Sequence, residues 1–414
     1  MSQPRISLPT QGLNVSPVHE STIFDGWRSV VLAIYMALVG YGVMVGIPVI
    51  STAWVELLGF TEVQVGRIAG ADLGGFSLGA VVVSLFVARV NRRLLVLISA
   101  AIAVAANGLC MVMVSYEETL WLRLIAGVGS GAFTAVAIAT LAGTAKPARA
   151  FNILLFTFAF SQGGELYLFP KLEMHEIYLF FIGTYLLALP FLAWLPARPV
   201  EKSLTVTVDV EEADHSHHTE QQHIPRSVPW LVLGAVLFTY LNIGAYWTYI
   251  ELAAADSAAD PDWVGQLLVY TSVFSVIGCA CATLISNRYG LARPLMVTLV
   301  FQAIIVGMLA NGIGNINVMI SMFAFNFCWI FVDVYQSATI ANVDHSGRFA
   351  ALLPGAQGLG QILGPNLAAS ILAAGMGYGS VFIMCAIASL VGFAIYLIMY
   401  LKLRRIIPAL ADAS

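Results

Sequence analysis

Six ionisable residues fall inside long apolar stretches of this 414-residue chain: Arg67, Asp72, Arg123, Glu165, Glu251 and Asp333. A charge held in hydrocarbon is costly unless it meets a partner or a wet cavity, so each is a candidate for binding an ion or a proton. At 1.5 Å per residue, Asp72 lies roughly 14 Å inside its stretch, Glu165 about 22 Å and Asp333 about 25 Å, whereas Arg67, Arg123 and Glu251 sit near one end and can snorkel. The glycine-rich, apolar surroundings of Asp72 suit an acid that carries a proton, with a fixed hydrogen bond to a neighbouring helix as the plainer alternative. Arg123 and Glu165 are expected to pair, either statically or as a contact that opens on protonation. Arg67 and Asp72 are five residues apart, off-face on one helix, and are not expected to pair with each other.

The stretches that must position these residues number twelve, near 28–50, 63–88, 94–114, 119–142, 150–170, 176–196, 229–252, 262–286, 294–313, 316–342, 349–375 and 379–402. Each approaches the roughly 20 apolar residues that span a bilayer as a helix. With 59% hydrophobic and 10% charged residues, the chain reads as an all-α polytopic membrane protein. The two halves are copies. Gly79-Ala-Val-Val-Val-Ser-Leu-Phe-Val-Ala-Arg89 matches Gly278-Cys-Ala-Cys-Ala-Thr-Leu-Ile-Ser-Asn-Arg288 at an offset of 199, and the same offset carries Gly66 onto Gly265 and Arg149 onto Arg348. The expected organisation is a tail (1–27), a six-helix half (28–197), an acidic linker (198–228), a second six-helix half (229–402) and a short tail (403–414).

Lys and Arg gather in the tails and even-numbered loops, among them Arg89, Arg92, Arg93, Arg149, Arg288 and Arg348, while the other loops hold only Lys171. This bias puts both termini and the linker in the cytoplasm of a protein integral to the plasma (inner) membrane. The first 26 residues contain no cleavable leader pattern. A net charge of −4, spread over an apolar chain, gives no reason to expect nucleic acid as a partner. The linker holds Asp214-His215-Ser216-His217-His218 and His223, which suit loose metal binding, but a solvated tether is the simpler reading. All five cysteines lie in spans. Cys279 and Cys281 point roughly 200° apart on a helix, so they read as packing residues, and neither metal nor cofactor is expected.

Small residues recur every fourth position in Gly66-x3-Gly70-x3-Gly74, Gly75-x3-Gly79, Gly127-x3-Gly131 and Gly360-x3-Gly364, marking close helix contacts, with helix 2 against helix 11 as a sliding seam. Polar and aromatic stripes run at helical spacing: Thr239, Asn242, Tyr246 and Tyr249 on helix 7; Asn326, Trp329, Asp333 and Gln336 on helix 10; Gln357 and Gln361 on helix 11; Phe158, Gln162, Glu165 and Phe169 on helix 5. Such stripes line a cavity for a small organic molecule, or serve as interhelical hydrogen bonds. More acids than arginines in the spans tilt the cargo toward neutral or cationic.

Together these features resemble the major facilitator superfamily over essentially the whole chain. Its loop signature, Gly-x-Leu-Ala-Asp-Arg-x-Gly-Arg-Arg, corresponds to Ser84-Leu85-Phe86-Val87-Ala88-Arg89-Val90-Asn91-Arg92-Arg93, which keeps the arginines and lacks the acid. Thr283 to Gly290 is its counterpart, again without the acid. Arg123-x3-Gly127-x-Gly129 is similar to a second signature tied to proton coupling, whereas the helix 5 Gly-x3-Gly-Pro of drug antiporters is replaced by Phe158 to Glu165, and Gly360-x3-Gly364-Pro365 occurs on helix 11 instead. The resemblance implies a secondary active transporter of a small organic solute, working by alternating access and coupled to protons, and the chain is expected to act as a monomer. Coupling falls to Asp72, Arg123, Glu165 and Asp333, and solute binding to Asn242, Tyr246, Tyr249, Asn326, Trp329, Gln336 and Gln361. The cytoplasmic gate falls to Gly79, Arg89, Arg92, Arg93, Arg149, Arg288 and Arg348. A uniporter and a transporter-like sensor are the alternatives. A membrane enzyme fits less well, because His175 and His345 fall on opposite sides with no catalytic partners, and no phosphate-binding loop points to ATP.

Overall fold

In a bilayer the backbone must satisfy its own hydrogen bonds, and an open chain does so only as a helix. The computed structural model describes residues 23–87, 89–144, 147–197, 227–257, 259–285, 288–343 and 352–406. Among them lie twelve α-helices: α1 Trp27–Leu58, α2 Glu62–Phe86, α3 Arg92–Cys110, α4 Tyr116–Ala142, α5 Pro147–Leu168, α6 Met174–Ala188, α7 Ser227–Ala255, α8 Pro261–Ile285, α9 Ala292–Gly307, α10 Asn315–Val343, α11 Leu353–Ala373 and α12 Gly377–Ile406. Ten are long and apolar enough to cross a membrane. The other two, α5 and α11, carry Gln162 and Glu165, and Gln357, Gln361 and Asn366. The linker histidines and Arg348 lie outside the described residues.

The α2–α3 loop marks what we call the basic end, and the α1–α2 loop marks the opposite end. Turns at the opposite end are tight and locally encoded. Gly59, at φ 69°, ends α1 in the left-handed conformation that glycine adopts freely. Thr61 with Gln64, and Ser115 with Glu118, form reciprocal capping boxes that start α2 and α4.

Packing repeats between two six-helix halves. α2 lies on α4 as α8 lies on α10, α3 on α6 as α9 on α12, and α1 on α5 as α7 on α11. The halves meet where α2 packs on α11, α5 on α8 and α1 on α7. The internal repeat is visible at single residues. A side chain at Gly79 would collide with the Val128 carbonyl of α4, and one at Gly278 with the Phe327 carbonyl of α10, both pairs separated by the same 199 positions. Gly79, expected at the gate, thus sits inside the first half.

Helix α2 carries two glycine faces. Gly75 and Gly79 meet α4, whose Gly127 and Gly131 in turn meet the Asp72 and Phe76 carbonyls, while Gly66, Gly70 and Gly74 meet Tyr249, Asn366 and Ile362 of the second half. The expected seam of α2 on α11 is therefore present, with a correction on its far side: Gly360 and Gly364 face Leu237 and Leu241 of α7, inside their own half. Introducing Gly79→Ala or Gly278→Ala should lower stability by about 1–3 kcal/mol through overpacking, whereas Gly183→Ala, in open space, should be neutral; melting of the detergent-purified protein reads the difference.

Candidate functional site

Arg123 is 1% exposed and Asp72 2%, and they bind each other. The Arg123 Nε donates to Asp72 Oδ2 at 2.7 Å, Nη2 donates to the same oxygen, and Nη1 donates to Asn107 Oδ1 of α3 at 2.7 Å. The guanidinium also lies 5.8 Å from the centre of the Tyr178 ring. This corrects two expectations: Arg123 does not pair with Glu165, and it does not snorkel. The pair ties α2, α3 and α4 together within one half. Arg67 turns the other way, as expected for a residue off-face from Asp72. It reaches across the seam to Asn366 Oδ1 at 2.8 Å and Ser370 Oγ at 2.9 Å on α11.

Glu165 is buried among α1, α5 and α6, beside Gly42 and Phe181. Ser161 Oγ donates to its Oε1 at 3.2 Å, and Oε2 has no hydrogen-bond partner. It is less well satisfied than either Asp72 or Asp333.

Asp333 differs from both, because it lies between the halves and stays half-buried. Tyr240 of α7 donates to its Oδ1 at 2.7 Å and Gln357 of α11 at 3.1 Å. Tyr41 of α1 is within electrostatic reach of the carboxylate. The Tyr41 ring in turn meets Phe76 of α2 at 5.4 Å and Phe158 of α5 edge-on at 5.8 Å. One acid, two tyrosines, an amide and two phenylalanines from six helices thus converge. Toward the opposite end the path is shut by buried side chains. Trp247 donates to the Val45 carbonyl at 3.2 Å and meets Trp329 edge-on at 5.8 Å, while Gln361 Nε2 reaches Met44 Sδ at 3.2 Å. Toward the basic end, Ser337 and Pro354 on the same helices are exposed. Asp333 thus lies on the basic side of the tryptophan layer. Beyond the tryptophan layer lies a separate vestibule of about 850 Å³, lined by α1, α5, α7 and α8 and holding Glu56, Glu251, Asp262 and Lys171.

The structure disperses the other expected solute residues. Trp329 and Gln361 stand in the tryptophan layer. Asn242 donates to Ser389 of α12 at 2.8 Å, Tyr246 bonds Ser321 at 2.8 Å and stacks on Phe325, and Gln336 donates to Thr239 at 2.8 Å, all inside the second half. Asn326 meets Gln162 of α5 and Ser275 of α8, both at 3.4 Å, and Tyr249 donates to the Glu62 carbonyl at 2.9 Å near the start of α2. Among the expected gate arginines, Arg92 and Arg93 bind Thr140, Ala193 and Leu195 within their own half, whereas Arg89, Arg149 and Arg288 are exposed.

Tyr41, Phe76 and Tyr240 are not singled out by sequence reasoning. A signal exists: Tyr41 and Tyr240 are separated by 199 residues, the register of the repeat, and so are Gln162 and Gln361. The buried pair yields a test. Removing either partner leaves an uncompensated charge, so Asp72→Leu or Arg123→Leu alone should cost about 3–5 kcal/mol, and the double substitution should recover much of it; melting of the three variants checks this.

A profile of the Major Facilitator Superfamily matches residues 32–365. "Putative transporter AraJ" of Escherichia coli (strain K12) is 24% identical over 290 residues, covering 67% of this chain and 70% of that protein. Among solved structures, a D-xylose-proton symporter superposes with TM-score 0.68 at 17% identity, covering 90% of this chain and 97% of the symporter. The nucleoside transporter NupG superposes with TM-score 0.66 at 13% identity, covering 90% of this chain and 98% of that one. By its sequence profile and its paired six-helix architecture, the chain belongs to the Major Facilitator Superfamily.

Proposed function

We propose that this chain is a secondary active transporter that moves a small organic solute by alternating access, coupled to protons. One observation carries the reading: a half-buried acid, Asp333, lies between the halves, separated from the opposite end by Trp247, Trp329, Gln361 and Met44. Rocking the halves about α2–α11 and α5–α8 would open the tryptophan layer and close the basic end. The aromatic walls suit a solute with an apolar body.

Asp333 and Glu165 are the acids we assign to proton binding. Asp333 accepts hydrogen bonds only from neutral groups, and Glu165 has an oxygen without a partner, so either can take a proton without breaking an ion pair. Asp72, by contrast, is held by Arg123 and serves as the fixed charge pair of its half. The Lys and Arg bias of the loops favours a cytoplasmic position for both termini, and a monomer suffices for this reading because one chain supplies the whole cluster.

In liposomes, adding a transported solute should shift lumenal pH. Asp333→Asn should abolish uphill accumulation and the pH shift, and Glu165→Gln should weaken both while leaving solute exchange at equal concentrations intact. Uphill transport by Asp333→Asn at the wild-type level would remove Asp333 from coupling, and solute flux without a pH change would make the protein a uniporter or assign it another ion.

A further inference from the structure

We infer that the Asp333 cluster selects an organic cation, a monovalent ammonium or related ion attached to an apolar or aryl body. This rests on the transporter reading and narrows its cargo. Charge is the first ground. Among the described residues no Lys, Arg or His forms an ion pair with Asp333; its hydrogen bonds come from Tyr240 and Gln357, both neutral. A carboxylate at a membrane interior normally has a cationic partner, as Asp72 has in Arg123. At Asp333 the described residues supply none, and the side chain stays half-buried.

Wall chemistry is the second ground. Tyr41 lies within electrostatic reach of the acid, and Phe76 and Phe158 both pack on its ring, one tilted and the other edge-on. Aromatic faces attract cations through their quadrupole and pack against apolar groups, so they accept the body and the charge of the same molecule. An anion would meet the carboxylate and the ring faces as repulsion. A sugar-like polyol would find few donors and acceptors here beyond one amide and two hydroxyls.

The far side of the barrier supplies the third. The vestibule of about 850 Å³ beyond the tryptophan layer holds Glu56, Glu251 and Asp262 against Lys171, whose Nζ lies 3.1 Å from the centre of the Tyr167 ring. Glu251 Oε2 is buried without a hydrogen-bond partner. A solute crossing the barrier therefore passes from one acidic environment to another.

The test uses three rigid probes of similar shape: N-methyl-4-phenylpyridinium, neutral 4-phenylpyridine at a pH above its own protonation, and 4-biphenylcarboxylate. Equilibrium binding to the purified, detergent-solubilised protein should favour the cation over the neutral probe by tenfold or more, with the carboxylate weakest. Asp333→Asn, which is isosteric and can still accept from Tyr240, should cut cation affinity at least tenfold and leave the neutral probe unchanged; Asp333→Glu should restore part of the preference. Phe158→Leu should weaken the cation several-fold. Equal affinities, a preference for the anion, no binding of the cation, or an unchanged preference in Asp333→Asn would each overturn the inference. Liposome flux separates it from the reading beneath. Proton-coupled uptake of a neutral solute with the cation ignored rejects the cation and keeps the transporter, while Asp333-dependent cation binding without flux of any solute keeps the cation site and rejects transport.

Discussion

Lipid gives apolar side chains no reason to leave it, so helices in a bilayer are held by close approach and by the few polar groups they share. In this protein both meet on α2. Its Gly75 and Gly79 press the helix onto α4, and the Asp72 beside them reaches Arg123 on that same helix. Dispersion contacts and a buried ion pair thus act across one interface, and Asn107 extends it to α3. The result is a firm half-bundle whose outer glycine face, Gly66, Gly70 and Gly74, is left for the other half.

The contacts across that second face are of a different kind. Arg67 reaches Asn366 and Ser370 with neutral acceptors, and Tyr249 donates to a main-chain carbonyl. None of these buries two opposed charges. Breaking them exposes groups that water can satisfy, so the seam between the halves is less costly to part than the α2–α4 interface. Rigidity inside each half and weaker polar contacts between them are what a two-state carrier requires.

Much of this is legible in the sequence, for reasons that can be named. Apolar length fixes where spans occur, and the 199-residue offset read at Gly79 and Gly278 reappears as the same backbone approach to Val128 and Phe327. Depth along a helix is also legible, because rise per residue is constant. Azimuth is not. Charge and depth alone would pair Arg123 with Glu165, yet the two face different neighbours, α2 and α3 for Arg123 and α1 and α6 for Glu165. The stripe on α7 fails for a related reason. That helix is buried on nearly all sides, so Asn242, Tyr246 and Tyr249 face α12, α10 and α2 in turn, and no single polar face exists to detect. Tyr41 and Phe76 escape notice because an aromatic in an apolar run looks like packing until a carboxylate is placed beside it.

The composition of α5 and α11 reaches back to how the chain is made. These counterparts fall short of the apolarity shown by the other ten helices, because they bring Gln162, Glu165, Gln357, Gln361 and Asn366 into the bundle interior. A segment leaving the ribosome partitions into lipid according to its own hydrophobicity, and these two gain less from doing so than their neighbours. Their polar partners lie on other helices: Gln162 of α5 meets Ser275 of α8 and Asn326 of α10, while Gln357 and Asn366 of α11 meet Tyr240 of α7 and Arg67 of α2. The polar groups of both helices are therefore satisfied only by the assembled bundle, and for Gln162 of α5 the partners come from the second half.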